Sequence, residues 1–176
     1  GECRAVSGEC RAVSVVPQQT VDRIGPSSDL TTYFSPRRYT SMDSLVEAAR
    51  DALVDAYVPY SEYRVGAALR TADGTVYTGC NVENANYSNT LHAEEVAVAQ
   101  AVADGHRGFD RIAVSSGVRD GVTPCGMCRQ TLAEFATDDL VVVCDDGDGA
   151  VTTYTLGDLL PASISESTLT EAADDR

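Results

Sequence analysis

The chain has 176 residues, enough for one ordinary domain with a real core. It carries 27 acidic against 13 basic residues, a formal charge of −14, and every basic residue is Arg. Such a surface repels phosphate backbones and excludes a nucleic-acid partner held through a basic footprint; no apolar run of about 18 residues exists, which excludes a spanning helix.

The N-terminus has no apolar core of a secretory signal, so a cytoplasmic location is the expectation. The acidity itself suits a salt-rich cytoplasm, where screening relieves self-repulsion; the alternative is a merely acidic protein from an Arg-preferring genome.

Residues 1–7 recur identically as 8–14, and the stretch from there through Tyr39 is rich in Pro, Ser, Thr and Gln without a helix or strand period. Residues 1–41 are therefore expected to be a disordered leader or non-native extension, with Met42 as the natural start; a genuine tail with a binding role is the alternative. From Ser41 the pattern sharpens. Ser41 or Asp43 can cap a helix in which Leu45, Val46, Ala49, Leu53, Val54 and Tyr57 repeat at helical spacing, ending at Pro59.

Strands are predicted over 63–71 and 75–82, joined at Asp73-Gly74 as an antiparallel hairpin. A helix over 91–103 closes at Gly105, a short strand covers 111–116, and a third helix covers 125–136. Strands over 140–144 and 150–154 and a short helix over 156–160 complete the pattern, before an acidic, flexible tail at 163–176. This order predicts an α/β domain over 42–162, with helices on both faces of a mixed, roughly five-stranded sheet whose central strand–helix–strand part is parallel.

The six cysteines are 3, 10, 80, 125, 128 and 144. Only Cys125 and Cys128 are clustered; Cys80 and Cys144 lie in strand-like runs and are expected to be small buried residues. Thr90-Leu91-His92-Ala93-Glu94-Glu95 opens one predicted helix, and Pro124-Cys125-Gly126-Met127-Cys128-Arg129-Gln130 opens another. His92, Cys125 and Cys128 supply an imidazole and two thiolates, three zinc ligands that leave the fourth tetrahedral position to water, as a catalytic site requires. Helix N-termini help keep the sulfurs ionised. Glu94, two residues from His92, is placed to reach that water instead of the metal, and a carboxylate there can shuttle protons.

A thioredoxin-type redox pair is an alternative for the two cysteines, but it needs no His-Ala-Glu upstream. A zinc ribbon would need a second cysteine pair, and a core histidine with a surface glutamate would be the plainest account of 92–94. His106, in a Gly-His-Arg-Gly loop, is assigned no role.

The two stretches resemble the His-x-Glu … Pro-Cys-x-x-Cys signature of zinc nucleobase deaminases. From Ser44 to about Pro161 the chain resembles the cytidine deaminase family. Tyr57-Val58-Pro59-Tyr60-Ser61-Glu62-Tyr63-Arg64-Val65-Gly66-Ala67-Ala68-Leu69, Gly79-Cys80-Asn81-Val82-Glu83-Asn84-Ala85-Asn86-Tyr87, the 124–130 stretch and Glu134-Phe135 are similar to its blocks in order. The resemblance implies a three-layer α/β/α fold and one Zn²⁺ per subunit. It also implies hydrolytic deamination of cytidine and 2′-deoxycytidine in pyrimidine salvage, with Glu94 moving the protons.

By position, Asn81 and Glu83 would hold the ribose 3′-hydroxyl and the backbone of Ala93 would meet the pyrimidine edge. Tyr63 would stack near the base, unless it is simply core packing. Neither Asn81 nor Glu83 offers a cation to a 5′-phosphate. Compact members assemble as tetramers, so a homotetramer is expected, with a dimer as the alternative.

One departure stands out: those members carry Cys-Ala-Glu-Arg where this chain has His92-Ala93-Glu94-Glu95. Three thiolates on Zn²⁺ leave a charge of −1 that a neighbouring Arg tempers, whereas His and two thiolates are neutral, which makes Glu95 tolerable. Glu95 is then left facing a pocket or a neighbouring chain, and Arg129 is expected to donate to a ligand sulfur. Deamination of a modified cytosine nucleoside such as blasticidin S, and a non-catalytic zinc-stabilised assembly role, are the competing functions. Retention of Glu94 weighs against the second.

Overall fold

The first helix stops earlier than its apolar spacing predicts. In a computed structural model, which describes residues 42–165 and Thr168, α1 spans Met42–Ala52 and a 3-10 turn comes next at Leu53–Asp55. The expected leader lies outside the described residues, as does most of the acidic tail. Arg64 explains the early stop. Its Nη1 donates to the carbonyls of Leu53, Val54 and Ala56, satisfying the helix-end acceptors that a longer helix would have used. Tyr57 and Val54 consequently point to solvent instead of continuing the buried stripe.

The hairpin forms as predicted, with β1 at Val65–Thr71 and β2 at Val76–Cys80 paired antiparallel. Gly74 takes the turn at φ +89, and Asp73 Oδ1 accepts from the Thr71 hydroxyl at 2.6 Å and the Thr75 amide at 3.0 Å. After α2 (Ala93–Ala103) comes β3 (Phe109–Ser116), then α3 (Gly126–Ala133), β4 (Val141–Asp145), β5 (Val151–Thr155) and α4 (Leu156–Leu159).

The sheet order is β2-β1-β3-β4-β5, mixed as expected, and β3 with β4 is the parallel pair. Its crossover contains α3, so that helix starts beyond the C-terminal end of β3.

Period-two alternation divides the core between two faces. Ala68, Ala113 and Val143 turn toward α1, meeting Leu45, Val46, Ala48 and Ala49. Ala67, Leu69, Ile112, Val114, Val142 and Cys144 turn the other way, toward Ala97, Val98 and Ala101 of α2 and Leu132 of α3. Burying Leu69, Ile112 and Leu132 contributes about 1.5–3 kcal/mol each. The result is the three-layer α/β/α arrangement anticipated from the sequence.

Two glycines bring helices unusually close to the sheet. A Cβ on Gly66 would lie 2.0 Å from Ala49 O in α1, and one on Gly79 would lie 2.2 Å from Ala93 O and 2.6 Å from Ala97 N in α2. Ion pairing completes the α1 face. Arg50 Nε and Nη2 grip the Asp145 carboxylate at 2.6 and 2.5 Å, while Ser115 Oγ donates to it at 2.7 Å. Led by the Arg50 bond, these contacts hold the buried Asp145 carboxyl down at about 2.

Candidate metal centre

Both predicted ligand stretches sit at helix starts. His92 is the N-cap of α2, in extended conformation at φ −86 and ψ 152. Cys125 is the N-cap of α3, one position outside the helix that the sequence places it in, and Cys128 lies buried in the first turn. Because α2 follows β2 and α3 follows β3, and those strands run the same way, the two helix starts meet at one end of the sheet.

His92 Nδ1 is 3.3 Å from Cys125 Sγ and 3.3 Å from Cys128 Sγ, and the two sulfurs are 3.7 Å apart. Zn–S bonds of about 2.3 Å and Zn–N bonds of about 2.0–2.1 Å at tetrahedral angles require S···S of about 3.8 Å and N···S of about 3.6 Å. The triangle fits zinc to within a few tenths of an ångström. Among the described residues it is the one group of three or more metal-ligating side chains close enough to share an ion.

Electrostatics point the same way. Glu94 is buried, and burial pushes its carboxyl up against weaker opposing pulls from its own backbone N–H, Cys128 and His92. The Cys128 thiol is pushed far up, first by burial and then by Glu94 and Cys125. The Cys128 thiol and the Glu94 carboxyl are buried side by side while Cys125 faces solvent, and a divalent cation held by the triad would relieve the repulsion between the buried pair once ionised.

Arg129 does not play the part expected of it. Its Nε donates to Pro124 O at 2.7 Å, Nη1 to Leu159 O at 2.8 Å and Nη2 to Thr123 Oγ1 at 3.0 Å. The guanidinium braces the loop entering Cys125 instead of donating to a ligand sulfur. Glu95 also departs from expectation: its Oε2 accepts from His92 N at 3.2 Å, so it caps its own helix.

The residues expected at the sugar reach this end of the sheet by a feature that leaves no signature in the sequence. Val82 bridges antiparallel to Leu91 and parallel to Tyr57, so segments around 57, 82 and 91 form a one-residue-deep ladder. Asn81 and Glu83 flank Val82, and His92 follows Leu91. Asn81 Nδ2 donates to Tyr63 O at 2.8 Å, and its Oδ1 accepts from Val65 N at 2.9 Å. Glu83 Oε2 accepts from Tyr60 N at 2.9 Å and Ser61 N at 3.2 Å. Its carboxyl is held below the usual range, chiefly by the Ser61 side chain.

Tyr63 is half-buried and precedes β1, which begins two residues later than predicted. Ala93 is fully buried at the first position of α2. The Tyr60 and Tyr87 rings, both exposed, stand 5.8 Å apart, a pair that no sequence period marks.

The remaining candidates lie elsewhere. Cys144 is buried, its thiol pushed up to about 11 by burial first, whereas Cys80 is half-buried at the end of β2, not enclosed as expected. Its neighbour Asn81 leaves the sheet there. His106 packs on Tyr77 at 5.5 Å, at the far end of α2 from the triad. No helix among the described residues is long and apolar enough to cross a membrane.

Residues 40–144 match the family model for the cytidine and deoxycytidylate deaminase zinc-binding region. The chain is 42% identical over 133 residues to cytidine deaminase of Sporosarcina psychrophila, covering 76% of this chain and 98% of that protein. The crystal structure of cytidine deaminase from Burkholderia pseudomallei superimposes with a TM-score of 0.68 at 43% identity, covering 71% of this chain and all of that one. Similarity extends at 32% identity over 125 residues, 66% of this chain and 87% of the other, to blasticidin-S deaminase of Bacillus cereus.

Proposed function

Since the chain belongs to the cytidine deaminase family, we propose that it hydrolyses cytidine and 2′-deoxycytidine to uridine and 2′-deoxyuridine with release of ammonia. The observation that carries this reading is a buried Glu94 beside a His92–Cys125–Cys128 triangle of zinc dimensions. His92, Cys125 and Cys128 would hold the zinc, which would supply the Lewis acidity that makes water a nucleophile at neutral pH.

Every other step belongs to the chain. Glu94, kept from solvent, takes a proton from the attacking water and delivers it to ring N3. It then carries the second proton to the departing amine, so that water and cytidine balance uridine and ammonia. The buried position of Ala93 next to His92 supports its reading as the backbone contact to the pyrimidine edge. Asn81 spends one N–H and one lone pair on the backbone of Tyr63 and Val65, leaving the others for the ribose 3′-hydroxyl beside Glu83. Tyr63 supplies an aromatic face near the base.

The reading extends to a cytoplasmic enzyme of pyrimidine salvage, working as a homotetramer in a salt-rich cell. Exposed Tyr57, Tyr60, Tyr87, Leu91 and Met127 support burial against a second copy, and the charge of −14 supports salt adaptation. Blasticidin S is the second reading, favoured by the likeness to its deaminase but at lower identity than to cytidine deaminases.

The test is ammonia release at multimolar KCl from cytidine, deoxycytidine and blasticidin S. Wild type, Glu94→Gln and zinc-stripped protein are compared. Turnover of cytidine that falls by about 10²–10⁴-fold in Glu94→Gln and vanishes without zinc is expected. A zinc-loaded wild type inert on both natural nucleosides would overturn the assignment.

A further inference from the structure

Equal reach from His92 to both sulfurs demands a fixed backbone, because an imidazole swings on two side-chain torsions from its Cα. The chain just before it is held on one side. Val82 N donates to Leu91 O at 2.9 Å and Leu91 N to Val82 O at 3.0 Å. His92 itself stands outside α2, in extended conformation, so its own N–H has no helical acceptor. That N–H is taken by Glu95 Oε2 at 3.2 Å, from the third position of the helix that His92 caps. The ladder pins residue 91, the carboxylate pins residue 92, and Nδ1 then stands 3.3 Å from each sulfur.

We infer that Glu95 is the positioning residue of the metal site: its hydrogen bond to the His92 backbone, and not its charge, aims the imidazole and retains the metal. The inference rests on the triad holding zinc. It also gives a physical reason for the acidic residue here. A neutral His–Cys–Cys zinc site needs no cation beside its sulfurs, so the position is free to serve the helix start. An acceptor there does for a histidine ligand what no Arg could do, since a guanidinium has no lone pair to offer an N–H.

Substitutions separate bond from charge. Gln keeps an acceptor oxygen and removes the charge. Asp keeps the acceptor too, and the same bond from Thr155 N to Asp158 Oδ2 at 3.0 Å in α4 shows that an aspartate reaches it. Ala and Met remove the acceptor, Met while filling the space.

Zinc loss from substrate-free protein to a chromogenic chelator is followed, alongside the visible ligand-field bands of the Co²⁺-substituted form. Glu95→Ala and Glu95→Met are expected to release zinc about 10–100-fold faster and to shift the Co²⁺ bands. Glu95→Gln and Glu95→Asp are expected to stay within about threefold of wild type with unchanged bands. If Glu95→Ala does not fold, Glu95→Met carries the comparison. Wild-type retention in both acceptor-free variants overturns the inference, and so does a Glu95→Gln as leaky as they are. A wild type that binds no zinc would instead overturn the metal assignment beneath it.

Discussion

Adding one methyl group at Gly79 tests whether the close approach of α2 to β2 is what places the reacting groups. A Cβ there would meet Ala93 O at 2.2 Å and Ala97 N at 2.6 Å, the carbonyl and amide that the first helical turn pairs. Carbon–oxygen contacts settle at about 3.3–3.6 Å, so the helix start must retreat by about 1.1–1.4 Å. Ala93 and Glu94 move with it. Overpacking of this kind costs about 1–3 kcal/mol of stability, and a misplacement of about 1 Å at a reacting centre can cost about 100-fold in rate.

Gly66→Ala is the matched control. Its Cβ would lie 2.0 Å from Ala49 O, an equally severe clash, but against α1 on the opposite face of the sheet. Denaturant midpoints, zinc content and kcat per folded molecule are measured for both. Comparable losses of stability are expected, with kcat falling about 100-fold in Gly79→Ala and less than about threefold in Gly66→Ala. Full turnover in Gly79→Ala, or equal losses of turnover in the two, would refute the argument that this contact sets the site.

The Asn81 amide yields a sharper test of the sugar role. Asn81→Asp keeps the acceptor for Val65 N–H but sets an oxygen against Tyr63 O, at a cost of about 1–3 kcal/mol. A raised KM is expected beyond this loss; an unchanged KM would reduce Asn81 to a backbone brace. Asp145 predicts acid behaviour. Its carboxyl is depressed to about 2, so its contribution is fully present above the unfolded value near 3.8 and is lost as pH falls through about 2. With Arg50 partly exposed, the contribution is on the order of 1–2 kcal/mol. Asp145→Asn should therefore flatten the fall of stability between about pH 4 and pH 2 in urea titrations; an unchanged slope would contradict it.

Much of this site is written locally in the chain. His92, Glu94, Cys125 and Cys128 are legible because metal chemistry restricts residue types and helix starts restrict their spacing. The hairpin is legible because Asp73-Gly74 fits a turn that few residues enter. What escapes is decided by partners distant in sequence. Nothing around Leu53 announces that Arg64 will receive its carbonyl, so α1 reads too long. Single bridges at Tyr57, Val82 and Leu91 have no period to detect. Arg129 finds the Leu159 carbonyl only because packing brings the C-terminal helix near, and Glu95 turns inward to its own helix, an outcome its charge alone does not select.

The triad also joins parts of the chain that lie far apart in sequence. Its members lie on segments separated by β3, and α3 belongs to the crossover that sets β4 parallel beside that strand. The β1–β2 hairpin closes over a handful of residues, whereas the ligand triangle closes a loop of 33 from His92 to Cys125. Closing a loop of that length costs about 3 kcal/mol of chain entropy, which the folded sheet has already met by holding the two ends together. Zinc held by the triad would therefore be a cross-link between two halves of the chain that local structure alone does not join.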